Sequence, residues 1–592
     1  MCRNPQGAVT AGTKIHFVVT MPRDMRVSGV RLIISGDSDC ALGLWWTGTD
    51  EKLEWWDCDF SPENSGLLFY HFEYDTPFGT GRIMQSASGL GIFTNEGSLW
   101  QLTVCEQNYV TPDLFKGGVM YQIFPDRFYN SGTEKNDVPS DRIIRKDFDG
   151  IPEWKPNGEG KILNNDYFGG DLAGIREKLP YLRALGVTCI YLNPIFEAHS
   201  NHRYDTADYM KIDPLLGTQE DFVRLCEEAH SRGMKIILDG VFSHTGADSR
   251  YFNKNGRYEG GAYNDENSPY RQWYTFREDG SYASWWDFET LPEVCENNPS
   301  FTEFITGENG VIHKWMSLGA DGFRLDVADE LPDEFIENVR IAVKRENPEG
   351  YLLGEVWEDA SNKISFGHRR KYLLGKQLDS VMNYPFMNAI IDFVKTGRAE
   401  DFMESVVTIC ENYPKQSLDT LMNHIGTHDT ARILTSLSDV RLDGLSRDAQ
   451  SKIRLTENRL NIAKKRLKAA AAIQFTLPGI PCIYYGDEVG MQGGKDPFNR
   501  GYFPWDKQDE ELLEYYKYLG EIRNNPLFRD GRFVPISAML GCVAYAREKD
   551  GEFVTVISNM NNHPIDYRLP DFLGGEIVKV DATETRILDA ND

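Results

Sequence analysis

Acidic and basic side chains recur where short apolar runs end in the middle of the chain. Arg324 and Asp326 close one such run, and Glu355 closes the next. His428 and Asp429 follow a third run. If these runs are parallel strands of one barrel, their carboxyl ends meet at one face, which is where barrel enzymes carry their reactive groups. The pattern therefore predicts three carboxylates in one pocket, with an arginine and a histidine beside them.

Two of these carboxylates suit the two-step hydrolysis of a glycosidic bond. An ionised carboxylate attacks the anomeric carbon, and a protonated carboxyl group about 5–5.5 Å away protonates the leaving oxygen and later activates water. Arg324, two residues before Asp326, would hold that carboxylate ionised through a charge-assisted bond. Glu355, desolvated near other carboxylates, would keep its proton near neutral pH. Taken singly, a buried Asp–Arg pair is more often a structural ion pair.

Other polar groups could hold the sugar. Asp429 could accept hydrogen bonds from substrate hydroxyls and distort the ring, and His428 could bond other hydroxyls. His244 ends a run that begins at Asp239, so we expect it in the same pocket. A single histidine is more often satisfied by a neighbouring side chain, and the prediction therefore depends on the whole set of residues.

Eight apolar runs alternate with amphipathic helices across the centre of the chain. In one helix, Thr218 with Asp221 predicts a capping box, and Gly233 predicts the end. The alternation favours an α/β fold with a (β/α)8 barrel over residues 114–510. An open doubly wound sheet is the alternative. The predicted strands cover residues 119–124, 189–194, 235–240, 322–327, 351–356, 381–386, 421–426 and 481–486.

Three further segments differ from the predicted barrel in their sequence pattern. The connection after the third strand, about residues 245–300, is too long for a plain loop and predicts an inserted domain. Residues 1–113 and 511–592 carry short alternating runs typical of β-sandwich domains. The first of these holds two Trp pairs, at 45–46 and 55–56. They predict either a sugar-stacking face, as in carbohydrate-binding modules, or ordinary packing.

Composition restricts the partners and the cell compartment. The net charge is −27, from 63 basic and 90 acidic residues, which disfavours nucleic acid and anionic membranes. No run reaches the roughly 18 apolar residues of a membrane-spanning helix, and the start of the chain lacks the pattern of a secretory signal. The ten cysteines form no CxxC pair, so we expect them reduced. These features predict a cytoplasmic protein.

The same segments resemble the motifs of one enzyme family, in its order and spacing. The supporting segments are YQIFPDRF, FGGDL, YLNPIFEAHSNHRYDTADY and GIPCIYYGDEVGM. The chain is therefore similar to the α-amylase family, glycoside hydrolase family 13. The four motifs that carry the resemblance are DGVFSH (239–244), GFRLDVADE (322–330), GEVW (354–357) and THDTAR (427–432).

The resemblance implies a role for each site residue. Asp326 would be the nucleophile, Glu355 the general acid/base and Asp429 the transition-state stabiliser. Tyr204 would stack on the sugar at the cleavage point, and Trp357 would lie towards the leaving group. The implied substrate contacts are His202, Tyr204, His244, Arg324, His428, Glu330, Trp357 and Arg432.

Within the family, VADE, LPEV and the N-terminal β domain look most like the neopullulanase, cyclomaltodextrinase and maltogenic amylase group. That group implies hydrolysis of cyclodextrins, pullulan and short maltodextrins. It also implies a homodimer through the N-terminal domain. The rival functions are an α-glucan transglycosylase, a narrow α-glucosidase of the same family, and a non-catalytic carbohydrate-binding relative.

The chemistry implied by the resemblance needs no cofactor, but the family suggests a structural calcium ion. The oxygen donors expected to hold it follow PDRF and include the GGD turn. Two departures stand against such ions: Gly132 replaces an expected Asp, and Ser243 replaces an expected Asn. A solvated polar loop is the alternative. The residues implied for calcium are Asn130, Asn136, Asp137, Gly169 and Asp171.

Overall fold

The computed structural model describes residues 3–86 and 89–589. These residues form two compact units. The first contains residues 3–86 and 89–111 together with two later segments, 358–379 and 403–418, and the second contains the remaining described residues. The predicted domain boundaries divide the chain differently from this grouping and stay predictions.

The first unit is built on two β-sheets. One has the strand order β1-β3-β7-β6, and the other follows the order β10-β9-β8-β11-β2, with β4 paired to β8 and to β5. Alternating apolar residues of both sheets form one core, as in a sandwich. The strands are β1 (Arg3–Asn4), β2 (Val9–Thr10), β3 (Ile15–Pro22), β4 (Gly29–Gly36), β5 (Cys40–Gly43), β6 (Trp45–Thr49), β7 (Leu53–Phe60), β8 (Gly66–Thr76), β9 (Gly79–Gln85), β10 (Gly91–Phe93) and β11 (Trp100–Cys105).

Tryptophans of the two pairs lie in different environments. Trp56 is 8% exposed and belongs to the sandwich core, so for this residue ordinary packing is the outcome. Trp45 and Trp46, on the edge strand β6, are 77% and 53% exposed. Packing therefore accounts for Trp56, whereas Trp45 and Trp46 lie on the surface.

The second unit contains a parallel sheet of eight strands in the order β23-β20-β19-β18-β15-β12-β25-β24. The strands along this part of the chain are β12 (Met120–Ile123), β13 (Ile143–Ile144), β14 (Asp166–Tyr167), β15 (Cys189–Leu192), β16 (Phe196–Ala198), β17 (Thr206–Ile212), β18 (Lys235–Gly240), β19 (Gly322–Leu325), β20 (Tyr351–Gly354), β21 (Ile364–Ser365), β22 (His368–Arg369), β23 (Ser380–Val381), β24 (Met422–His424) and β25 (Ile480–Tyr484). The short hairpin β21–β22 lies in the first unit.

A single parallel bridge between Met382 and Met422 joins the two ends of this sheet, which is therefore a nearly closed barrel. Apolar runs buried on both faces form these strands, as parallel sheets require. The predicted (β/α)8 barrel is confirmed, and the open sheet is excluded. The sixth predicted run behaves differently, because only Ser380–Val381 is strand. Asn383 caps a helix there and accepts a hydrogen bond from the backbone N–H of Phe386.

Helices follow most of the barrel strands. The capping box of Thr218 and Asp221 is confirmed at the start of α3. The helices are α1 (Leu172–Glu177), α2 (Leu179–Ala184), α3 (Gln219–Ser231), α4 (Pro299–Thr306), α5 (Val311–Ser317), α6 (Asp333–Glu346), α7 (Tyr384–Thr396), α8 (Ala399–Asn412), α9 (Lys415–Leu418), α10 (Ile433–Ser436), α11 (Arg447–Ser451), α12 (Glu457–Thr476), α13 (Glu510–Ile522) and α14 (Leu527–Asp530).

Two further segments complete the second unit. The insertion after β18 is largely irregular chain held by an aromatic cluster, in which Phe252 packs against Tyr274 and Tyr282. The C-terminal segment folds into a sheet of order β26-β27-β28-β31 and a hairpin β29–β30 around a shared apolar core. Its strands are β26 (Arg532–Met539), β27 (Cys542–Lys549), β28 (Glu552–Asn559), β29 (Ile565–Arg568), β30 (Ile577–Val580) and β31 (Glu584–Asp589).

Candidate active site

The predicted catalytic residues lie at the carboxyl ends of the barrel strands. Asp239 is the penultimate residue of β18, and Arg324 is in β19 with Asp326 directly after it. Glu355 follows β20, and Asp429 follows β24. Strand geometry therefore brings four carboxyl groups to one face of the barrel, as expected for this fold.

Arg324 joins three of these carboxylates. Its Nη1 donates to Asp239 Oδ1 and to Asp326 Oδ1, each at 2.7 Å. Its Nη2 donates to Glu355 Oε2 at 2.7 Å. The arginine side chain is fully buried, so the guanidinium is a fixed positive charge at the centre of the site. Three strands thereby hold their acidic groups against one cation.

The electrostatics of this cluster favour a retained proton. Burial raises the pKa of Asp326, the charge of Arg324 opposes the rise, and the neighbouring carboxylate of Glu355 adds to it. Burial likewise raises the pKa of Asp239. One guanidinium faces three buried carboxylates, so simultaneous ionisation of all three is disfavoured.

Glu355 is bonded differently at its two oxygens. Oε2 accepts from Arg324 Nη2 and from the backbone N–H of Val327 at 2.9 Å. Oε1 accepts from the indole N–H of Trp357 at 3.0 Å. Val327 has a φ of 40°, a backbone conformation that β-branched residues rarely adopt. The backbone next to Asp326 is therefore strained while its N–H is directed at the acid.

Tyr204 and His428 form a second network beside the carboxylates. The Tyr204 hydroxyl donates to Asp239 Oδ2 at 2.8 Å and lies 2.6 Å from His428 Nε2. Gln122 Nε2 donates to His428 Nδ1 at 2.9 Å, so the imidazole proton is on Nε2. Burial lowers the pKa of His428 well below its usual value, which keeps the ring neutral. Nε2 also lies 3.1 Å from Asp429 Oδ2 and can donate to it.

The other two histidines bond the backbone around Tyr204. His202 Nδ1 accepts from the backbone N–H of Tyr204 at 3.2 Å. His244 Nε2 donates to the carbonyl of Tyr204 at 3.1 Å, while its Nδ1 lies 2.9 Å from the Ser243 hydroxyl. Burial lowers the pKa of His244 to about 4. Both rings are thus near the predicted sugar site and brace the residue that faces it.

Glu330 is held by two indoles from the inserted segment. Trp285 Nε1 donates to Oε2 at 2.8 Å, and Trp286 Nε1 donates to Oε1 at 3.0 Å. The ring of Trp285 also contacts His244, with centroids 5.6 Å apart. Trp286 is 74% exposed and has a φ of 48°, so a strained backbone presents its ring to solvent. Both carboxylate oxygens of Glu330 therefore accept from indole N–H donors of the inserted segment.

Arg432 bonds the carbonyl of Asn499 and the carboxylate of Asp487. Its Nε donates to the carbonyl of Asn499 at 2.7 Å, and its Nη1 donates to Asp487 Oδ1 at 3.1 Å. Asn499 Nδ2 in turn donates to the carbonyl of His428 at 2.7 Å. Arg432 therefore braces the loop that carries His428 and Asp429.

Sequence reasoning missed several residues of the site. Arg500 Nε donates to the carbonyl of His428 at 3.0 Å, and its Nη2 lies 3.6 Å from Asp429 Oδ1. No periodic pattern marked this arginine, because it sits in an irregular loop after β25. The DGVFSH segment contains Asp239, but the sequence pattern assigns this residue no role. Trp285 lies in the insertion after β18, where no motif marks it as a site residue.

The residues implied for calcium do not fit that ion in this structure. Asp171 caps α1 through Oδ1, which accepts from Gly174 N at 2.6 Å, and its Oδ2 lies 2.7 Å from Lys135 Nζ. Asn130 Oδ1 accepts from the backbone N–H of Gly132 at 2.8 Å. An ammonium group thus occupies the place of a cation at Asp171.

The other three candidates add no coordination shell. Asn136 and Asp137 are exposed, and Gly169 donates its backbone N–H to Asp126 Oδ1 at 3.1 Å. Across residues 3–86 and 89–589, no group of three or more His, Cys, Asp or Glu side chains is arranged to hold a metal ion. In the same described ranges, no helix has both the length and the apolar character to cross a bilayer.

The chain is similar to the catalytic domain of one enzyme family and to several named enzymes. A family model described as the α-amylase catalytic domain matches residues 122–525. The amylopullulanase of Thermoanaerobacter thermohydrosulfuricus is 38% identical over 553 residues, which cover 84% of this chain and 36% of that protein. The cyclomaltodextrinase of a Bacillus species is 32% identical over 545 residues, which cover 86% of this chain and 85% of that protein.

A solved structure extends the similarity to nearly the whole chain. The type III pullulan hydrolase from Thermococcus kodakarensis aligns with a TM-score of 0.69 at 27% identity, over 98% of each chain. In contrast, the chain spans less than half the length of the curated amylopullulanases it matches. The amylopullulanases therefore contain large regions with no counterpart in this sequence.

Proposed function

Because the chain belongs to the α-amylase family of glycoside hydrolases, we propose that it hydrolyses α-glucosidic bonds with retention of the anomeric configuration. Its proposed substrates are cyclodextrins, pullulan and short maltodextrins, cut at α-1,4 bonds and additionally at α-1,6 bonds. The observation that carries this proposal is the bonding of Asp326 and Glu355 to the same guanidinium, which holds a nucleophile and an acid side by side.

In the first step, Asp326 attacks the anomeric carbon of the sugar. Glu355 gives its proton to the glycosidic oxygen as the bond between that oxygen and the anomeric carbon breaks. The product is a glycosyl ester on Asp326 and a released sugar hydroxyl. In the second step, Glu355 takes a proton from water, and the water oxygen replaces Asp326 at the anomeric carbon. Arg324 offsets negative charge on both carboxylates throughout.

Asp429 and His428 would bind the sugar at the cleavage point. Asp429 accepts hydrogen bonds from substrate hydroxyls and favours the distorted ring of the transition state. His428, neutral and with its proton on Nε2, can donate to a hydroxyl in the same region. Tyr204 presents its ring beside His428, with the two rings 5° from parallel, and would stack on the sugar.

The substrate class is supported by the names of relatives and by the surface around the site. Enzymes named cyclomaltodextrinase and pullulan hydrolase align over most of the chain. Trp286 and Trp357 are 74% and 47% exposed near the carboxylates, and aromatic rings of this kind stack on sugar faces. The high net negative charge does not oppose a neutral glucan.

Product analysis tests this proposal. The purified chain is incubated in parallel with γ-cyclodextrin, pullulan, soluble starch and maltotriose, and the products are separated with their anomeric form read. Opening of the cyclodextrin, or panose from pullulan, with α-anomeric products supports the proposal. Longer oligosaccharides from maltotriose would make the chain a transglycosylase, and turnover of maltotriose alone would indicate a narrow α-glucosidase. Absence of any turnover would favour a non-catalytic carbohydrate-binding relative.

We propose that the chemistry requires no cofactor, since two carboxylates and one arginine provide the nucleophile, the proton and the charge balance. The proposed setting is the cytoplasm. Every cysteine in the described residues is a free thiol, as a reducing compartment favours. Cys2 lies outside the described residues. Fractionation of the source cells, with activity measured in each fraction, tests the location.

We also propose a homodimer through the N-terminal domain. Trp45, Phe78 and Phe93 of that domain carry exposed apolar side chains, which an interface between two copies would cover. Analytical ultracentrifugation of the full chain tests the assembly state. A dimer that becomes monomeric in the variant Phe78→Ser would support the proposal, and a wild-type monomer at micromolar concentration would overturn it.

A further inference from the structure

The two oxygens of Glu355 cannot serve the same purpose. Oε2 accepts from a guanidinium nitrogen of Arg324 and from the backbone N–H of Val327. A proton on Oε2 would point at one of these donors, so the acid proton belongs on Oε1. The geometry of the site therefore identifies Oε1 as the oxygen that transfers a proton to the substrate.

Trp357 contacts this oxygen directly. Its indole N–H donates to Oε1 at 3.0 Å. An N–H donor favours a carboxylate over a carboxylic acid, because the charged oxygen is the stronger acceptor. The indole N–H therefore contacts the oxygen assigned to the acid proton, and Trp357 remains 47% exposed for a sugar.

The ring of Tyr384 holds the indole in this orientation. Its ring stacks on Tyr384, with centroids 4.3 Å apart and planes 9° from parallel. Tyr384 is fully buried and packs edge-on against His424, with centroids 4.5 Å apart. Since Tyr384 begins α7, a rigid element of the barrel fixes the indole.

We propose that the indole N–H of Trp357 orients Oε1 of Glu355 and sets the pH range in which that residue works as acid and base. Tyr384 is a positioning residue in this arrangement, because it acts through the indole. The inference rests on the proposed hydrolysis and adds to it a role for two residues beyond substrate stacking. In the acid step, the proton on Oε1 passes to the glycosidic oxygen as that oxygen leaves the anomeric carbon. In the base step, Oε1 recovers a proton from water, and the indole keeps its own proton throughout.

Several other titratable and charged groups also face Glu355, and each of them influences its proton together with the proposed effect of the indole. A change at Trp357 or Tyr384 leaves these groups in place apart from Tyr384 itself. Any movement of the pH profile in the variant Trp357→Phe is therefore assigned to the missing N–H. These groups are Arg324, Asp326, Glu330, Tyr384 and Asp429.

The test compares pH profiles of kcat/KM for wild type and Trp357→Phe with two substrates. Phenylalanine keeps an aromatic face for the sugar and removes the N–H. With γ-cyclodextrin, which needs a proton on the leaving oxygen, we expect the alkaline limb to move to higher pH by about 0.5–1 unit. With α-maltosyl fluoride, whose leaving group needs no such proton, we expect the limb to stay in place.

A second variant tests whether Tyr384 holds the indole of Trp357 in place. Tyr384→Leu removes the ring under the indole, and we expect the same shift of the alkaline limb with γ-cyclodextrin. The double variant should show no further shift, because both changes remove one interaction. Thermal unfolding of each variant confirms that the fold persists. Trp505→Phe, which removes an indole N–H that bonds the carbonyl of Phe128 instead of a carboxylate, serves as the matched control.

An active Trp357→Phe enzyme whose alkaline limb coincides with that of wild type would overturn the inference and leave the proposed function intact. Equal shifts with both substrates would also overturn it, since a general structural change moves both profiles. A wild-type chain that hydrolyses neither substrate would overturn the proposed function and, with it, this inference.

Discussion

The ammonium group of Lys135 lies 2.7 Å from Oδ2 of Asp171, in the loop where the family resemblance implies calcium. The carboxylate is fully buried, and the lysine side chain is 15% exposed. A positive charge supplied by the chain itself therefore balances Asp171. The loop after β12 and the start of α1 are tied together by this pair and by the bond from the backbone N–H of Asp171 to the carbonyl of Tyr129.

This pairing predicts that stability does not depend on calcium. Lys135→Met should lower the free energy of unfolding by roughly 1–3 kcal/mol, because it leaves a buried carboxylate without its cation. Thermal unfolding of wild type should be unchanged by EDTA or added calcium. Lys161→Met, at an exposed pair with Glu159, is the matched control and should have little effect. A wild-type melting temperature that falls in EDTA would contradict this account.

The nucleophile assignment predicts a specific chemical rescue. Asp326→Ala should lower kcat by about 10³-fold or more, the scale on which loss of a catalytic group acts. Azide should restore turnover of α-maltosyl fluoride, because a small anion can enter the vacated space. The product should be the β-glycosyl azide, since a single displacement inverts the anomeric carbon. If azide leaves the rate unchanged and Glu355→Ala responds instead, the two roles are exchanged.

The two indole hydrogen bonds to Glu330 predict an effect of this residue on KM for long substrates. Glu330→Ala removes the acceptor of both indole N–H groups, so the strained backbone at Trp286 can relax and its ring can move. We expect KM for γ-cyclodextrin to rise by about tenfold, equivalent to about 1.4 kcal/mol. The rate with α-maltosyl fluoride should change little. Glu334→Ala, at an exposed position of α6, is the control, and an unchanged KM for γ-cyclodextrin in Glu330→Ala would refute the prediction.

Asp429 predicts a dependence of stability on pH. Burial, and then the charge of Glu355, raise the pKa of Asp429 to about 7. A carboxyl group whose folded pKa is raised stabilises the fold at low pH, and this contribution is lost as pH rises through about 7. Because 31% of the side chain is open to solvent, we expect a loss of only about 1 kcal/mol.

The variant Asp429→Asn cannot ionise and should remove this loss. Its melting temperature should exceed that of wild type by about 1–2 °C at pH 8, with a smaller difference at pH 5. Activity should fall strongly at both pH values, because the substrate contact is lost. An equal change in melting temperature at pH 5 and pH 8 would show that the carboxyl group does not titrate as argued.

The barrel and the placement of its acids could be predicted from local patterns. Apolar runs such as 235–240 and 351–356 have the length and composition of buried strands, and their polar residues stand at the carboxyl ends. The sixth run was predicted too long. Asn383 supplies a cap and Pro385 suits the first turn of a helix, so the chain turns into α7 after two strand residues.

The contacts that tune the site could not be predicted in this way. Glu330 accepts a hydrogen bond from Trp285, which is 45 positions away in the sequence, and Trp357 stacks on Tyr384, which is 27 positions away. Both contacts depend on loops that have no periodic sequence pattern. Likewise, the sequence suggested calcium at Asp171, and the loop conformation places Lys135 there instead.

The sequence by itself determined the strand-end carboxylates, because spacing and hydrophobic period set the barrel, and the barrel brings strand ends to one face. The tertiary structure alone decided which donor bonds each carboxylate oxygen, because that choice depends on how distant, irregular segments pack.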